Sequence, residues 1–166
     1  MRHPLFRGQI QNVTMTAHDR IISIADEVHR RLWRQGKRVS SQTKRSTRVC
    51  KIWQALVEDL VGTRAKGEVP ISKNSKNQRI DLVDIHSRTA YELKASKNNV
   101  HMEIYRDVFK VLVFNLRRDD MPRLRRLVFI APAEGLNALG DDFIRDVRTI
   151  LKSHKLRLEL APIRQR

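Results

Sequence analysis

Cysteine occurs once, at Cys50, which excludes an intramolecular disulfide. Without histidines clustered at ligand spacing it also excludes a zinc site, and the histidines at 3, 18, 29, 86, 101 and 154 are scattered. No run approaches the roughly 18 apolar residues of a membrane span. Met1-Arg-His-Pro-Leu-Phe has no apolar stretch behind its charge, so no secretory signal is expected, and the expected location is the cytoplasm without a membrane partner. Acid is scarce: 18 Asp plus Glu stand against 34 Lys plus Arg, for a net charge of +16.

What is present is one domain's worth of chain. The 166 residues and 40% apolar content can fill one core, which argues against disorder throughout. Residues 1–80 hold 17 basic and 6 acidic residues, the remainder 17 and 12, so the first half is the stronger electrostatic footprint. Such a balance points to nucleic acid, because Lys and Arg that neutralise phosphates release condensed counterions. A membrane surface would need an amphipathic anchor with basic flanks, and the apolar stripes of this chain read as core.

Residues 1–16 carry no clear period. Thr16 reads as an N-cap with Asp19 in the capping-box position, opening a helix over 17–35 on Ile21, Ala25, Val28 and Leu32. From 34 to 51 run seven basic residues without an acid, read as a hydroxyl-rich connector that contacts phosphate. Val49, Ile52, Trp53, Leu56, Val57, Leu60 and Val61 mark a second helix ending at Gly62. An edge strand is expected over 67–72, with Pro70 tolerated at the edge. Runs at 80–85 and 90–95 read as a hairpin on a four-residue loop, 86–89. Met102 to Leu116 is expected to be a buried or interface helix on Ile104, Val108, Val111, Leu112 and Leu116, although its Val-rich centre also fits a strand. A central strand at 126–131, a helix at 141–153 and a last strand on Leu156, Leu158 and Leu160 complete the chain. Tyr105, Phe109, Trp33 and Trp53 read as packing residues.

Chemistry concentrates in the hairpin. Side chains alternate along a strand, so Asp81, Glu92 and Lys94 project from one face, and Ile80, Leu82, Tyr91 and Leu93 from the other. A three- or five-residue loop would reverse the parity and bring Asp84 beside Glu92 instead. Asp81 and Glu92 offer hard oxygens to Mg²⁺, with the Leu93 backbone carbonyl as a further ligand. Lys94, ~6.5 Å along the strand from Glu92, can orient a water and stabilise developing charge on a phosphate. Glu92-Leu93-Lys94 is the only Asp/Glu-x-Lys triplet in the chain. The plain alternative is an exposed hairpin whose Asp81 and Lys94 form a cross-strand ion pair worth under ~1 kcal/mol.

Ile80-Asp81 followed by Glu92-Leu93-Lys94 resembles the PD-(D/E)xK nuclease superfamily over residues 47–131, with Ile80 where the motif has Pro. The resemblance implies an α/β fold: a restriction-endonuclease-like αβββαβ core, with a mixed central sheet flanked by helices. An extra N-terminal helix and a C-terminal helix-strand are added to it. Within one domain, it sets an arm, helix and basic connector at 1–46 beside a nuclease core at 47–166. It also implies that Asp81 and Glu92 bind Mg²⁺, or Mn²⁺ in its place, and that Lys94 assists the attacking water. Many members add a carboxylate from the preceding helix. Glu58 is one candidate, although it points away from the Val49, Ile52, Leu56 and Leu60 stripe, and Glu68 on the edge strand is the other.

Candidates for DNA contact are Arg38, Lys44, Arg45, Arg48 and Lys51 in the basic run, and Lys97, Asn98 and His101 after the triplet. The expectation is a small type II restriction-like enzyme that cuts double-stranded DNA, leaving 5′-phosphate and 3′-hydroxyl ends. Its homodimer would pair through the helix at 102–116 or the N-terminal helix. A structure-selective nuclease such as a Holliday junction resolvase is an alternative. A non-catalytic basic nucleic-acid-binding protein is another.

Overall fold

The structure is a computed structural model that describes residues 15–35, 41–75 and 77–164. Five strands form one mixed sheet in the order β1 (Ala65–Pro70), β2 (Arg79–Asp84), β3 (Thr89–Leu93), β4 (Arg126–Pro132) and β5 (Arg157–Ile163). β1, β2 and β3 pair antiparallel, while β3, β4 and β5 run parallel. Helices α1 (Ala17–Gln35) and α2 (Gln42–Val61) cover one face. The other face is covered by α3 (Val100–Arg117), the short α4 (Ala133–Asn137) and α5 (Asp141–Ser153).

The first helix starts where its cap is written. Asp19 N–H donates to Thr16 Oγ1 at 3.1 Å and Thr16 N–H to Asp19 Oδ2 at 3.3 Å, the reciprocal pair of a capping box. Ile21, Ile24, Ala25 and Val28 are buried against Val49, Trp53 and Val57 of α2 and against Leu82, Tyr91 and Leu93 of the sheet. Trp53 is fully buried and donates its indole N–H to Ile21 O at 3.1 Å.

α2 differs from expectation at its start. It begins at Gln42, capped by Ser41, whose side chain accepts from Lys44 N–H, so Lys44, Arg45, Arg48 and Lys51 lie on a helix and not in a connector. The hydroxyl-rich sequence suggested a loop because Ser and Thr compete for backbone partners. Here one of them caps the helix, and Thr47 bonds back to Thr43 O at 3.0 Å. The buried face is also different: Val49, Trp53, Gln54 and Val57 face inward, and Leu60 is exposed. Gly62 ends the helix at φ 66°, a left-handed value that glycine adopts without a Cβ clash.

The hairpin turns at 85–88, not 86–89, and Leu82 faces Tyr91. This places Asp81 opposite Glu92 instead of Lys94. The parity is unchanged, because the loop keeps four residues. β1 spans Ala65–Pro70, two residues earlier than expected, and its pairing leaves Glu68 opposite Asp81. At that rung both strands change face. Ala65 and Leu82 pack beneath α1 and α2, whereas Val69 and Ile80 pack beneath α3 and α5. Ile80 therefore does not share a face with Leu82, Tyr91 and Leu93, and Glu68 takes φ 51° to make the switch.

α3 is a helix throughout. Its buried side is Val100, Ile104, Asp107, Val108, Lys110, Val111 and Phe114. Leu116, read as part of the inner stripe, is exposed, as are Tyr105 and Phe109, read as packing residues. Among the described residues no helix is long and apolar enough to cross a membrane.

Candidate active site

The strand change at Asp81 opens a cleft between the N-terminal halves of α2 and α3, at the carboxyl end of β3. Its walls include Thr43, Ser46, Cys50, Lys51 and Gln54 from α2, Glu68 from the edge strand β1, Asp81 from β2, and Leu93, Lys94, Asn98, Asn99, Glu103 and Arg106. Asp81 is fixed in two ways. Its Oδ2 accepts Leu93 N–H at 3.0 Å, and its carbonyl accepts Gln54 Nε2 at 2.8 Å. Gln54 also donates to Glu68 Oε1 at 3.1 Å, so one amide ties both acids to α2.

Glu92 lies behind the cleft wall and is fully buried. Its Oε1 takes the ammonium of Lys110 at 2.6 Å, and its Oε2 lies 3.5 Å from Lys94 Nζ. Lys94 in turn reaches Asp107 at 2.8 Å and Glu103 at 3.2 Å, and Lys110 reaches Asp107 at 2.8 Å. Glu92, Glu103 and Asp107 thus share Lys94 and Lys110, with Arg106 also reaching Glu103 and Asp107, while Asp81 beside them is held by Leu93 N–H. Burial, then the neighbouring Asp81 and Asp107, hold the Glu92 carboxyl well above the ordinary carboxylate range. Burial opposes charge on Lys94 and Lys110 as well, but the surrounding Glu92, Asp107 and Asp81 outweigh it and raise both.

The loop after β3 is held from several sides. His29 on α1 bonds Ala95 O through Nε2 at 2.8 Å, and Gln42 Nε2 donates to Ser96 Oγ at 2.5 Å. Cys50 Sγ donates to Leu93 O at 3.3 Å, and burial pushes its thiol up to about 12, which leaves it a neutral donor and not a nucleophile.

Mg²⁺ takes one or two carboxylates with several waters, and the oxygens of Asp81, Glu92 and Leu93 are of that kind and number. The extra carboxylate in the cluster favours uptake of a cation or a proton. Among the described residues no three His, Cys, Asp or Glu side chains stand as a ready metal cage, and the Glu92 and Asp107 carboxylates are paired with Lys94 and Lys110.

Other candidates separate clearly. Asp84 is buried, bonded to Arg64 at 3.0 Å and to the His86 and Ser87 N–H groups, so it shapes the turn. Glu58 is exposed and accepts Gly67 N–H at 2.7 Å. It reaches the edge strand because Gln54, one turn earlier, faces the sheet. Glu68 lines the cleft; Glu58 does not.

Of the DNA-contact candidates, Lys51 and Asn98 line the cleft, and Lys44, Arg48 and His101 are exposed outside its lining. Lys97 is paired with Glu134. Arg45 lies over the Trp33 ring, 4.9 Å from its centroid. Arg38 is outside the described residues.

Sequence reasoning missed Gln54, Glu103, Asp107 and Lys110. The last three stand at i, i+4 and i+7 on one helical stripe, a signal masked by the apolar residues around them. Comparison of the chain with protein-family models, curated proteins and solved structures finds no match.

Proposed function

We propose that the protein is a Mg²⁺-dependent endonuclease that hydrolyses phosphodiester bonds in double-stranded DNA at a specific sequence, on a core like that of the PD-(D/E)xK nucleases. The observation that carries this reading is the meeting of Asp81, Leu93 and Lys94 at one cleft, with Glu92 behind them. Four carboxylates (Asp81, Glu92, Glu103 and Asp107) against three cations (Lys94, Lys110 and Arg106) make this interior a cation-accepting spot in a chain of net charge +16, whose outer field draws DNA toward it.

Bound Mg²⁺ would polarise the phosphate and lower the pKa of a bound water, with Asp81, Glu92 and the Leu93 carbonyl holding it and Mn²⁺ able to substitute. Lys94 keeps its proton, so its work is to orient the attacking water and to stabilise charge as it develops on the phosphoryl oxygens. Water adds to phosphorus and the bond to O3′ breaks, leaving a 5′-phosphate and a 3′-hydroxyl. Lys51 and Asn98 line the approach, and Lys44 and Arg48 extend the basic surface along α2.

Cutting both strands of a symmetric target takes two copies related by a twofold axis. We place the pairing surface on α3, where Met102, Tyr105, Phe109 and Leu116 are exposed and Leu112 completes a 3-4 alternation. The apolar stripe of α1 is already buried in the core.

The test is incubation with a plasmid and a phage genome, in Mg²⁺ and in EDTA, beside Glu92→Ala. Discrete metal-dependent bands lost in the variant support the reading. A smear or nicking favours a structure-selective or nonspecific nuclease. A band shift without cleavage leaves a basic nucleic-acid-binding protein.

A further inference from the structure

At the opposite end of the sheet lies a second charged feature that the cleavage reading does not use. β3, β4 and β5 start side by side, with Thr89 facing Arg126 and Arg126 facing Arg157. Seven-residue strands at ~3.3 Å per residue separate this end from the carboxyl end by about 20 Å. A pocket there is lined by Ser87, Arg125, Arg126, Lys155 and Arg157, with no acid and no apolar side chain among them.

Four cations in one pocket repel one another, and the chain does little to relieve it. Arg126 lies 3.6 Å from Glu159, but that carboxylate is also held by His18 at 2.9 Å. Among the described residues Arg125, Lys155 and Arg157 have no carboxylate partner. The backbone adds a second observation. Lys155 takes φ 57° just after α5, and Arg88 takes φ 54° in the hairpin turn next to Ser87. Both positions suit glycine or asparagine, yet both carry a cation. None of the residues lining the pocket is apolar, and its guanidinium and ammonium donors converge from three neighbouring elements, an arrangement that suits a phosphate backbone.

We propose that this pocket is a second phosphate-backbone site for duplex DNA, so that one chain engages two DNA segments, one at each end of its sheet. It shares the DNA partner with the cleavage reading but none of its residues.

The experiment is calorimetric titration of the full chain with an 8-bp DNA duplex in EDTA at low salt, beside the triple variant Arg125→Ser, Lys155→Ser, Arg157→Ser. The three residues are exposed, and circular dichroism checks that the fold is kept. The wild type is expected to bind two duplexes per chain and the variant one. The slope of log affinity against log salt should flatten by roughly 2 to 3, at about 0.9 per phosphate contact. Arg125→Lys with Arg157→Lys should retain both duplexes. One duplex per wild-type chain, two per triple-variant chain, or displacement of the second duplex by inorganic phosphate at constant ionic strength would overturn the proposal. Binding is read in EDTA, without turnover, so absence of cleavage by the wild type would remove the nuclease reading and leave this one standing.

Discussion

Asp107 Oδ2 on α3 holds Lys94 Nζ at 2.8 Å, closer than the 3.5 Å between Lys94 and Glu92 on the same stretch of chain. The ammonium is therefore positioned from across the cluster. Asp107→Asn leaves Asp81, Glu92 and Glu103 facing Lys94, Lys110 and Arg106 with charge in balance, whereas Lys110→Met leaves four carboxylates facing Lys94 and Arg106. Breaking a buried ion pair from one side costs about 3–5 kcal/mol, and we expect Lys110→Met to show that loss in urea unfolding. Asp107→Asn should cost much less, yet lower kcat about 10- to 100-fold with KM for DNA unchanged, as loss of a positioning group does. Equal destabilisation by the two would show that charge balance does not govern the cluster.

The protonation of Glu92 sets a pH dependence of stability. Its carboxyl titrates above the ordinary range in the fold and near 4.3 in the unfolded chain, so between those values the native state holds a proton that the unfolded state has lost. The sign follows: the contribution is fully present below about pH 4 and is lost as the pH rises toward the folded value. Glu92→Gln removes this loss. The stability of wild type minus Glu92→Gln, from urea curves at pH 4 to 8, should fall steadily with pH. A flat difference would mean that Glu92 is ionised at an ordinary pKa.

Two neighbouring arginines on α2 should behave differently. Arg48 is exposed, so Arg48→Ala should weaken DNA binding and reduce the salt slope by about 1. Arg45 stacks on Trp33, a contact worth about 0.5–1 kcal/mol at a partly exposed site. Arg45→Ala should lower the melting temperature and change DNA affinity less than Arg48→Ala. The reverse ranking in a filter-binding series would place Arg45 on phosphate.

Much of this is legible in the sequence. Thr16 with Asp19, Gly62 and the segment 141–153 mark helix ends by local chemistry, and local chemistry is what a sequence displays. The parity that puts Asp81 opposite Glu92 needed only the loop length, although its register was off by one rung. What could not be read is non-local. The reversal of faces at Glu68 and Asp81 depends on two strands kinking together. The roles of Asp107 and Lys110 appear only when α3 crosses Glu92. The start of α2 was obscured because Ser41 to Thr47 suit a loop and a capped first turn equally.

The cluster's extra carboxylate also makes a prediction that needs no catalysis. If Mn²⁺ or Mg²⁺ binds at Asp81 and Glu92, the proton on Glu92 must leave, because ligands bind metals in their deprotonated form. Calorimetry in two buffers of different ionisation enthalpy, on DNA-free protein below the folded value of Glu92, should report release of about one proton per metal. The metal should also stabilise the fold, by about 2.7 kcal/mol at a hundredfold excess over its Kd. Asp81→Ala should abolish both effects, whereas Glu58→Ala should change neither, since Glu58 is bonded to Gly67 N–H away from the cleft. Proton release that survives Asp81→Ala would move the cation elsewhere in the chain, and with it the case for cleavage at this cleft.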